Sequence, residues 1–543
     1  MANRTNKMFS NPMFTVPTPD TVNRDGYPAY SRSIEEQTIQ VLTTNTLGNV
    51  FYADAKDLLK EAEAIFLKMI KKDAVFFAKA LIHGRNDGYM RTVPTFGLVL
   101  LSEARPDLVS VVFQKVIRTP NDLYDFMTMT ASRRKGSQGG RAIKRTVGKW
   151  LSYHFGEKGL NAEYWTIKYG GEKQGAFSLA DILKTTHPEG VKPSIAKYIL
   201  GKGGRVLKSD TPKLYWFNKL KAASKWEDKA EAIMEGQLPH EVATSFAGSS
   251  KEVWKAIVPN LPVFAMLRNL NTLTRHGVID SARKDIEAIF KDAERIHKAK
   301  IFPFRFLDAF NAVTNAPSWV RDAIRDGLDA SVENVPDFKG DTVVFLDISG
   351  SMQSFMSQAA LFGVSCTVKG KNNKLYLFDT QVTEAKVSRR VPVLDQANKI
   401  QPRGGTDTSA PFRTILNDRE KYDNIILITD EQQNTGTPAY SVFKQYCAKV
   451  NKNAKLFVVD VSPYRNAVVP KDVENVWYIY GWSDNVLRYI AHTLEDSASQ
   501  VDFVNKIELF YSKKDNPAPV KTKRTYTKKA AKRGVGRPRK SKD

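Results

Sequence analysis

The spacing of apolar residues divides the chain into two regions with different sequence patterns. From about Ile34 to Leu328, apolar side chains recur at three- and four-residue steps, as in DAKDLLKEAEAIFLKMIKKDAVFFAKALIHG, which is typical of amphipathic helices. Gly, Pro and Asn interrupt this pattern at intervals that suit helix hairpins. Paired helices usually stack so that each pair buries its apolar face on its neighbours. We therefore predict an α-helical solenoid of HEAT-like repeats over residues 34–338.

The pattern changes at Lys339. Five short apolar runs, TVVFLD, KLYLF, NIILITD, KLFVVD and VWYIYG, alternate with helical segments from there to Tyr511. Continuous apolar strands separated by helices indicate a parallel sheet that is covered on both faces. Residues 339–511 therefore predict a doubly wound α/β domain of about 170 residues, an ordinary size for one domain.

Both ends of the chain lack a pattern that could bury a core. Residues 1–33 are rich in Pro, Asn and Thr and predict an extended arm. Residues 512–543 are rich in Lys, Pro and Ala and predict a disordered tail. The tail contains GRPRK, which resembles an AT-hook, a segment that places arginines in the DNA minor groove. We expect weak DNA contact through this tail.

Charge separates the same regions. The whole chain carries a net charge of +24. Residues 341–511 hold 19 Lys and Arg against 19 Asp and Glu, and the tail holds 13 basic and 2 acidic residues, so residues 1–340 carry +13. A basic excess on the helical region indicates a polyanionic partner, most often a nucleic acid. A generally basic proteome is the alternative explanation.

Composition argues against several classes of protein. The chain has no run of eighteen apolar residues and no apolar signal core, so we expect no membrane association and a cytoplasmic location. Cys366 and Cys447 are the only cysteines, and the seven histidines form no HExxH pair. These counts argue against a disulfide framework and against a zinc site.

The strongest local motif is VVFLDISGSM, in which a predicted strand ends at Asp347 and is followed by Ser349 and Ser351. Open α/β sheets place ligand sites in the loops at the carboxyl ends of their strands. Two later loops add Thr406 and Asp430. Carboxylate and hydroxyl oxygens suit a divalent cation, Mg²⁺ first and Mn²⁺ or Ca²⁺ as alternatives. The motif offers no nucleophile with a base, so it favours recognition over catalysis. Alternatively, the two serines only cap the following helix.

The best candidate for a nucleic-acid surface is the segment 126–156, which contains no acidic residue. Its basic residues are Arg133, Arg134, Lys135, Arg141, Lys144, Arg145 and Lys149. The last four share one face of a helix that we predict to begin near Arg141, opposite an apolar face. A basic stripe over an apolar face is suited to backbone phosphates. A second cluster includes Lys192 and Lys197, for which a solvated lysine face is the alternative interpretation.

Four blocks of sequence resemble the TROVE-domain family, which includes the Ro autoantigen and bacterial Ro orthologues. They are GSQGGRAIKRTVGKWL, KPSIAKYIL, SKEVWKAIVPNLPVFAMLRNLNTLT and VVFLDISGSM. The resemblance runs from about Tyr30 to Leu509. The candidate metal residues likewise resemble the metal-ion-dependent adhesion site of von Willebrand factor A (VWA) domains. Together these resemblances imply a monomeric ring of helical repeats whose ends are joined by a VWA domain.

The same resemblance implies a non-enzymatic function in RNA quality control or decay. Single-stranded ends of misfolded RNA would enter the ring hole, noncoding Y-like RNA would bind the outer basic surface, and an exoribonuclease would be a partner. His187 matches an RNA-contacting histidine of the family. The basic tail departs from the family pattern. The alternative is an adhesion-type protein-interaction module, in which the metal site does the main work on a helical platform.

Overall fold

The three- and four-residue apolar steps of the first region are realised as helices. A computed structural model describes residues 17–44, 55–134, 139–170, 177–201, 206–248, 250–299, 301, 303–335, 338–462, 464, 466–470, 473–480 and 499–509. The helices before residue 338 are α1 (Ile34–Thr44), α2 (Ala55–Asn86), α3 (Thr92–Ala104), α4 (Pro106–Val116), α5 (Pro120–Arg133), α6 (Arg141–Phe155), α7 (Ala162–Tyr169), α8 (Leu179–Thr186), α9 (Pro193–Ile199), α10 (Pro212–Ala222), α11 (Trp226–Gly236), α12 (His240–Ala247), α13 (Lys251–Ile257), α14 (Val263–Arg275), α15 (Arg283–Lys291), α16 (Ala293–Lys298), α17 (Pro303–Ala312) and α18 (Ser318–Val332). A short 3₁₀ turn, Val258–Asn260, joins α13 to the following loop. The predicted helical region is confirmed.

The long helix α2 is broken at Asp73, where the backbone is extended (φ −152°, ψ 93°). The Oδ1 atom of Asp73 accepts hydrogen bonds from the amides of Val75 and Phe76, both at 2.9 Å. These bonds cap the second half of the helix. Buried apolar residues continue at three- and four-residue steps across the break, from Phe66 and Ile70 to Ala74, Phe77 and Leu81.

The second region contains a six-stranded mixed sheet. The strands of the whole chain are β1 (Thr21–Val22), β2 (Pro28–Ser31), β3 (Thr342–Asp347), β4 (Lys374–Phe378), β5 (Val382–Ala385), β6 (Asn424–Thr429), β7 (Lys455–Asp460), β8 (Asn466–Ala467) and β9 (Val476–Tyr480). The large sheet has the order β5-β4-β3-β6-β7-β9. Its helices are α19 (Met356–Lys369), α20 (Val393–Ala397), α21 (Ala410–Asn417), α22 (Ala439–Lys449) and α23 (Gln500–Lys506), with a 3₁₀ turn at Gly350–Ser354.

All five predicted strands are present, and their mutual pairings are parallel. The edge strand β5 was not predicted, and it pairs with β4 in the antiparallel direction. None of its residues is fully buried, so it shows no continuous apolar run. The arm predicted for residues 1–33 also contributes strands, because β1 and β2 form a small antiparallel sheet with β8.

Both ends of the helical region pack on the α/β domain. At the first end, α1 and α2 contact α23, and His83 Nε2 lies 2.9 Å from Gln500 Nε2. At the other end, α18 contacts α20, where Arg325 Nε donates to Asp395 Oδ1 at 2.9 Å. The α/β domain therefore closes the helical region into a ring of packed elements, as the family resemblance implied.

The predictions for residues 512–543, including the AT-hook-like GRPRK, lie outside the described residues. Among the helices that the structure describes, none is long and apolar enough to cross a membrane.

Candidate functional site

The candidate metal residues lie where the carboxyl ends of two neighbouring parallel strands meet. Asp347 ends β3, and Asp430 follows β6, which pairs directly with β3. The loop after β3 is joined to the loop 401–409 by a 3.1 Å hydrogen bond from Gly350 N to Gly404 O. Gly404 has a φ of +70°, a left-handed conformation that favours glycine. The structure brings together, and buries, all five predicted residues: Asp347, Ser349, Ser351, Thr406 and Asp430.

Hydrogen bonds occupy one of the two buried carboxylates more fully than the other. Asp347 accepts from the Ser349 amide at 2.9 Å and from Thr429 Oγ1 at 2.7 Å. The hydroxyl oxygens of Ser349 and Ser351 lie 3.3 Å apart. In contrast, Oδ2 of Asp430 has no hydrogen-bond partner among the described residues. A buried polar oxygen without a partner is costly unless a ligand or a proton satisfies it.

Burial raises the pKa of Asp430 to about 8, and the negative charges of Asp347 and Asp25 also raise it, although hydrogen bonds from Ser351 and from the Gln432 amide oppose that rise. Burial likewise raises the pKa of Asp347 to about 6, although hydrogen bonds from Ser349 and Thr429 oppose that rise. Two carboxylates in one buried site favour either protonation or a bound cation.

The residue types therefore fit a hard divalent cation held by two carboxylates and three hydroxyls. Within the described ranges, no group of three or more His, Cys, Asp and Glu is arranged to hold a metal. The hydroxyl oxygens of the serines and Thr406 would thus have to complete the coordination of any such cation.

A segment that we call the N-terminal strap, residues 20–32, lies along the loop that follows Asp430. Asn23 Nδ2 donates to Gln433 O at 2.6 Å, and Tyr27 OH donates to Gly436 O at 2.5 Å. The strap therefore covers the loop that immediately follows Asp430.

The strap ends in a buried ion-pair network. The Arg32 guanidinium contacts Glu431 and lies 2.9 Å from Asp460 Oδ2, and all three side chains are almost fully buried. It also lies 4.5 Å from the ring centre of Tyr478 and 4.7 Å from that of Tyr480. One cation thus compensates two buried carboxylates next to Asp430.

The predicted basic helix is α6, and it begins at Arg141 as expected. Its apolar face is buried, and Trp150 Nε1 donates to Ile117 O at 2.7 Å. Arg141, Arg145 and Lys149 are exposed on the other side, and Lys144 is half-buried. None of these four cations forms an ion pair with a carboxylate of the described residues. We call them the α6 basic face.

His187 lies beside α6. It is exposed, ends α8, and has a left-handed backbone with φ 44°. The loop that follows is fixed to α6, since Ser152 Oγ donates to Glu189 O and the Lys192 amide donates to Phe155 O at 2.9 Å. The structure therefore places two separately predicted features, His187 and the α6 basic face, on neighbouring elements.

Other predicted RNA residues are engaged within the protein. Arg133 pairs with Glu63 at 2.8 Å and Glu103 at 2.9 Å. Lys192 pairs with Asp210 at 2.7 Å, and this hydrogen-bonded partner raises the pKa of the Lys192 ammonium.

The remaining three candidates differ in their surroundings. Arg134 donates to Ser102 O at 3.3 Å. Lys197 is exposed on α9. Lys135 lies outside the described residues.

Comparisons with known proteins match both regions. Residues 157–326 match the family model of the TROVE domain, and residues 342–493 match that of the Ro60 vWA domain. The chain is a Ro-like TROVE-domain protein.

Relatives of this Ro-like chain agree with that assignment. It is 25% identical over 303 residues to the RNA-binding protein RO60 of Caenorhabditis elegans, a match that covers 50% of this chain and 46% of the relative. The chain thus spans about half the length of that curated relative. The crystal structure of the Deinococcus radiodurans Ro (RSR) protein superposes with a TM-score of 0.65 at 19% identity, covering 85% of this chain and all of the other. This likeness supports the shared fold.

Neither the contacts of the strap nor its ion-pair network was predicted from the sequence of the Ro-like chain. Asp460 could have been found, because it ends an apolar strand just as Asp347 does. Arg32 carried no such signal, because Glu431 lies 399 residues away in the chain.

Proposed function

We propose that the chain binds RNA as the protein of a Ro-type ribonucleoprotein, with the α6 basic face as a contact surface. The carrying observation is that these cations are uncompensated, whereas neighbouring Arg133 and Lys192 pair with carboxylates. Uncompensated cations on one exposed face are available to neutralise phosphates. The printed name of the curated relative, an RNA-binding protein, supports the same class of ligand.

The ligands we propose are noncoding Y-like RNA on the α6 basic face and single-stranded ends of misfolded RNA in the ring. The role would be RNA quality control or decay, with an exoribonuclease as partner. The family resemblance supports these ligand classes, and the position of exposed His187 beside α6 supports a common surface.

RNA crosslinking and sequencing in the native host tests this proposal. The test variant replaces Arg141, Lys144, Arg145 and Lys149 by Ala. Its matched control replaces four exposed lysines of the neutral α/β domain by Ala, namely Lys371, Lys386, Lys399 and Lys452. We expect a discrete set of structured RNAs that only the test variant loses. Equal recovery from both variants would contradict the proposed surface.

For the metal site, we propose that Asp347, Ser349, Ser351, Thr406 and Asp430 hold a divalent cation, Mg²⁺ first. The unpartnered Oδ2 of Asp430 supports this proposal. When bound, the cation would offer a position to an oxygen ligand of a partner. Mn²⁺ titration followed by electron paramagnetic resonance tests the site, and Asp347→Asn is expected to abolish binding.

The second candidate function is metal-dependent protein interaction on the helical platform. The buried oxygen set favours it, because it contains no nucleophile paired with a base and so suits recognition. The two variants separate the candidates. Loss of a protein partner in Asp347→Asn, with RNA binding intact in the α6 variant, would favour the second function.

A further inference from the structure

A cavity of about 520 Å³ lies between α11, α12, α13 and α14 of the helical region. Its volume falls within the range of about 300–1,000 Å³ that is usual for small-molecule sites. Four of the side chains that line it are apolar and buried, namely Ile233, Leu238, Ile257 and Leu261. No described residue of α6 lines it, so this cavity is separate from the α6 basic face.

An aromatic ring is exposed at this cavity. Phe264, on α14, lines the cavity and is 38% exposed. The guanidinium carbon of Arg268, which also lines the cavity, lies 5.7 Å from the centre of the Phe264 ring, and that of Arg305 lies 5.5 Å away. Exposed rings next to arginines are the surfaces on which nucleobases stack in sites for single-stranded nucleic acids. Phe264 therefore offers a planar contact to a ligand that enters the cavity.

Cationic side chains outnumber carboxylates in the cavity. Arg268 is exposed and Lys213 is half-buried, and neither forms an ion pair with a carboxylate of the described residues. Among the described residues that line the cavity, the only carboxylate is that of Glu241, which Lys168 compensates at 2.7 Å. The remaining positive charge favours a ligand that carries a negative group beside an apolar part.

Two polar side chains of the cavity are suited to the edge of a base. Gln237 follows α11 in a left-handed conformation, with a φ of 45°, which residues with a Cβ disfavour. Its side-chain amide forms no hydrogen bond with the described residues. Burial lowers the pKa of His240, an effect that Glu241 opposes and that Lys168 and Arg268 increase. Its imidazole is therefore neutral at pH 7 and, like the amide, has both a donor and an acceptor.

We propose that this cavity binds one unpaired nucleotide, whose base stacks on Phe264 and whose phosphate contacts Arg268 and Lys213. The flat face of the base corresponds to the exposed ring, its polar edge to Gln237 and His240, and its phosphate to the two cations. The nucleotide is either a free mononucleotide or an unpaired residue of an RNA strand. In the second case the inference rests on the proposed RNA-binding function, and it adds a contact with a base to the phosphate contacts of the α6 basic face.

The test is fluorescence titration of the full chain with two probes that contain 2-aminopurine, a base whose emission falls when it stacks on an aromatic ring. One probe is the riboside 5′-monophosphate of this base, and the other is a single-stranded oligouridine that contains one such base. We expect saturable quenching by the wild type. Phe264→Leu should remove most of the quenching and weaken binding about tenfold, because a base–aromatic contact is lost.

The matched control is Phe246→Leu. The ring of Phe246 is also exposed, but it does not line the cavity. This variant is expected to quench and bind both probes as the wild type does. Phe264 and Phe246 are both exposed, so neither substitution removes a core side chain.

The phosphate contact is tested with the riboside of the same base, which lacks the phosphate. Lys213→Gln should weaken binding of the monophosphate about tenfold, because a charge-assisted hydrogen bond is lost, and should leave binding of the riboside unchanged. Lys219→Gln is the control, since Lys219 lies on the same helix, is exposed and does not line the cavity. Equal weakening of the monophosphate and the riboside in Lys213→Gln would contradict the phosphate contact.

The outcomes separate this inference from the proposed function of the α6 basic face. Quenching of the oligouridine, with or without the monophosphate, identifies an unpaired RNA residue as the ligand, and quenching of the monophosphate alone identifies a free nucleotide. Quenching of neither probe, or equal quenching by Phe264→Leu and Phe246→Leu, would overturn the inference. The α6 variant should bind the monophosphate as the wild type does, so failure of the crosslinking test would leave this result standing.

Discussion

The α6 basic face and the five candidate metal residues of the α/β domain, which we call the metal set, both hold ionisable side chains without an ion-pair partner among the described residues. The two groups differ in the sign of the charge that they can carry and in burial. The basic face consists of three exposed cations and one half-buried cation on a helix. The metal set holds two carboxylates with no exposure at all, Asp347 and Asp430. Each excess of charge indicates a ligand of the opposite sign.

The difference in burial determines whether a bound ligand also changes the free energy of unfolding. Exposed charges remain hydrated and are screened by salt, so an excess there costs the fold little. Buried charges without a partner carry a large desolvation cost. A ligand of the α6 basic face should therefore change binding only, whereas a ligand of the metal set should also stabilise the fold.

The largest expected effect comes from removing the only cation of the buried ion-pair network described above. Arg32→Ala leaves Glu431 and Asp460 buried without their cation. We expect the free energy of unfolding to fall by about 3–5 kcal/mol, the usual cost of breaking a buried pair. Chemical denaturation measures it. The control, Arg24→Ala, removes the partly exposed contact with Glu61 and the contact with the Tyr464 ring, whose centre lies 5.0 Å away; it should cost about 1 kcal/mol. An equal loss of stability in the two variants would mean that burial of the ion pair does not determine the cost of breaking it.

The next effect concerns pH. The pKa of Asp430 in the folded chain, about 8, lies above its ordinary value of 3.8, so the cation-free folded state binds more protons than the unfolded state between those values. Its stability should therefore fall as pH rises through that window, by up to about 1.4 kcal/mol per pH unit. Mg²⁺ binds the ionised form and should offset the fall.

Thermal unfolding with Mg²⁺ and with EDTA, at pH 5 and pH 8, measures this effect. The stabilisation by Mg²⁺ should be larger at pH 8. Asp430→Asn should remove the Mg²⁺ effect and reduce the pH dependence, leaving the smaller contribution of Asp347, whose pKa burial raises to about 6. A Mg²⁺ effect that is equal at the two pH values would count against the coupling of cation and carboxylate.

The third effect is on RNA affinity alone. Replacing the four residues of the α6 basic face by Ala should reduce the slope of log affinity against log salt by about 0.7–0.9 for each phosphate that the variant no longer neutralises. The free energy of unfolding should change by less than about 0.5 kcal/mol per residue, as for other surface substitutions. Filter binding over a salt series and denaturation give the two values. A large loss of stability would show that the face is not a pure ligand surface.

The smallest effect is expected at His187, whose backbone is left-handed. His187→Gly removes the ring and relieves a conformation that costs residues with a Cβ about 1–2 kcal/mol. Gly also costs about 0.5–1 kcal/mol in conformational entropy. RNA affinity should therefore fall a few-fold while stability is unchanged or slightly higher. Unchanged RNA affinity would remove His187 from the surface.

The helices and strands whose residues show a regular apolar spacing in the sequence were predicted correctly. The runs TVVFLD and NIILIT coincide with β3 and β6, because every residue of these two strands is buried. The edge strand β5 escaped prediction because it is only half-buried. The break at Asp73 escaped because the apolar spacing continues across it.

The positions of the candidate metal residues could likewise be predicted from the pattern of the strands. Asp347 ends one buried strand and Asp430 follows the neighbouring one, so their proximity follows from the topology of a parallel sheet. The contacts of the strap with the metal loop could not be predicted in this way. Asn23 and Gln433, for example, are 410 residues apart, and no periodicity of one segment reports on the other.

The distance between Arg32 and Glu431 in the chain, 399 residues, has a consequence for synthesis. At about 5–20 residues per second, a ribosome needs about 20–80 s to reach the second residue after the first. During that time the nascent helical region can fold, but Arg32 has no buried carboxylates to enter. Closure of the ring is therefore a late event of translation, and any factor that holds the emerging amino-terminal segment acts within this interval.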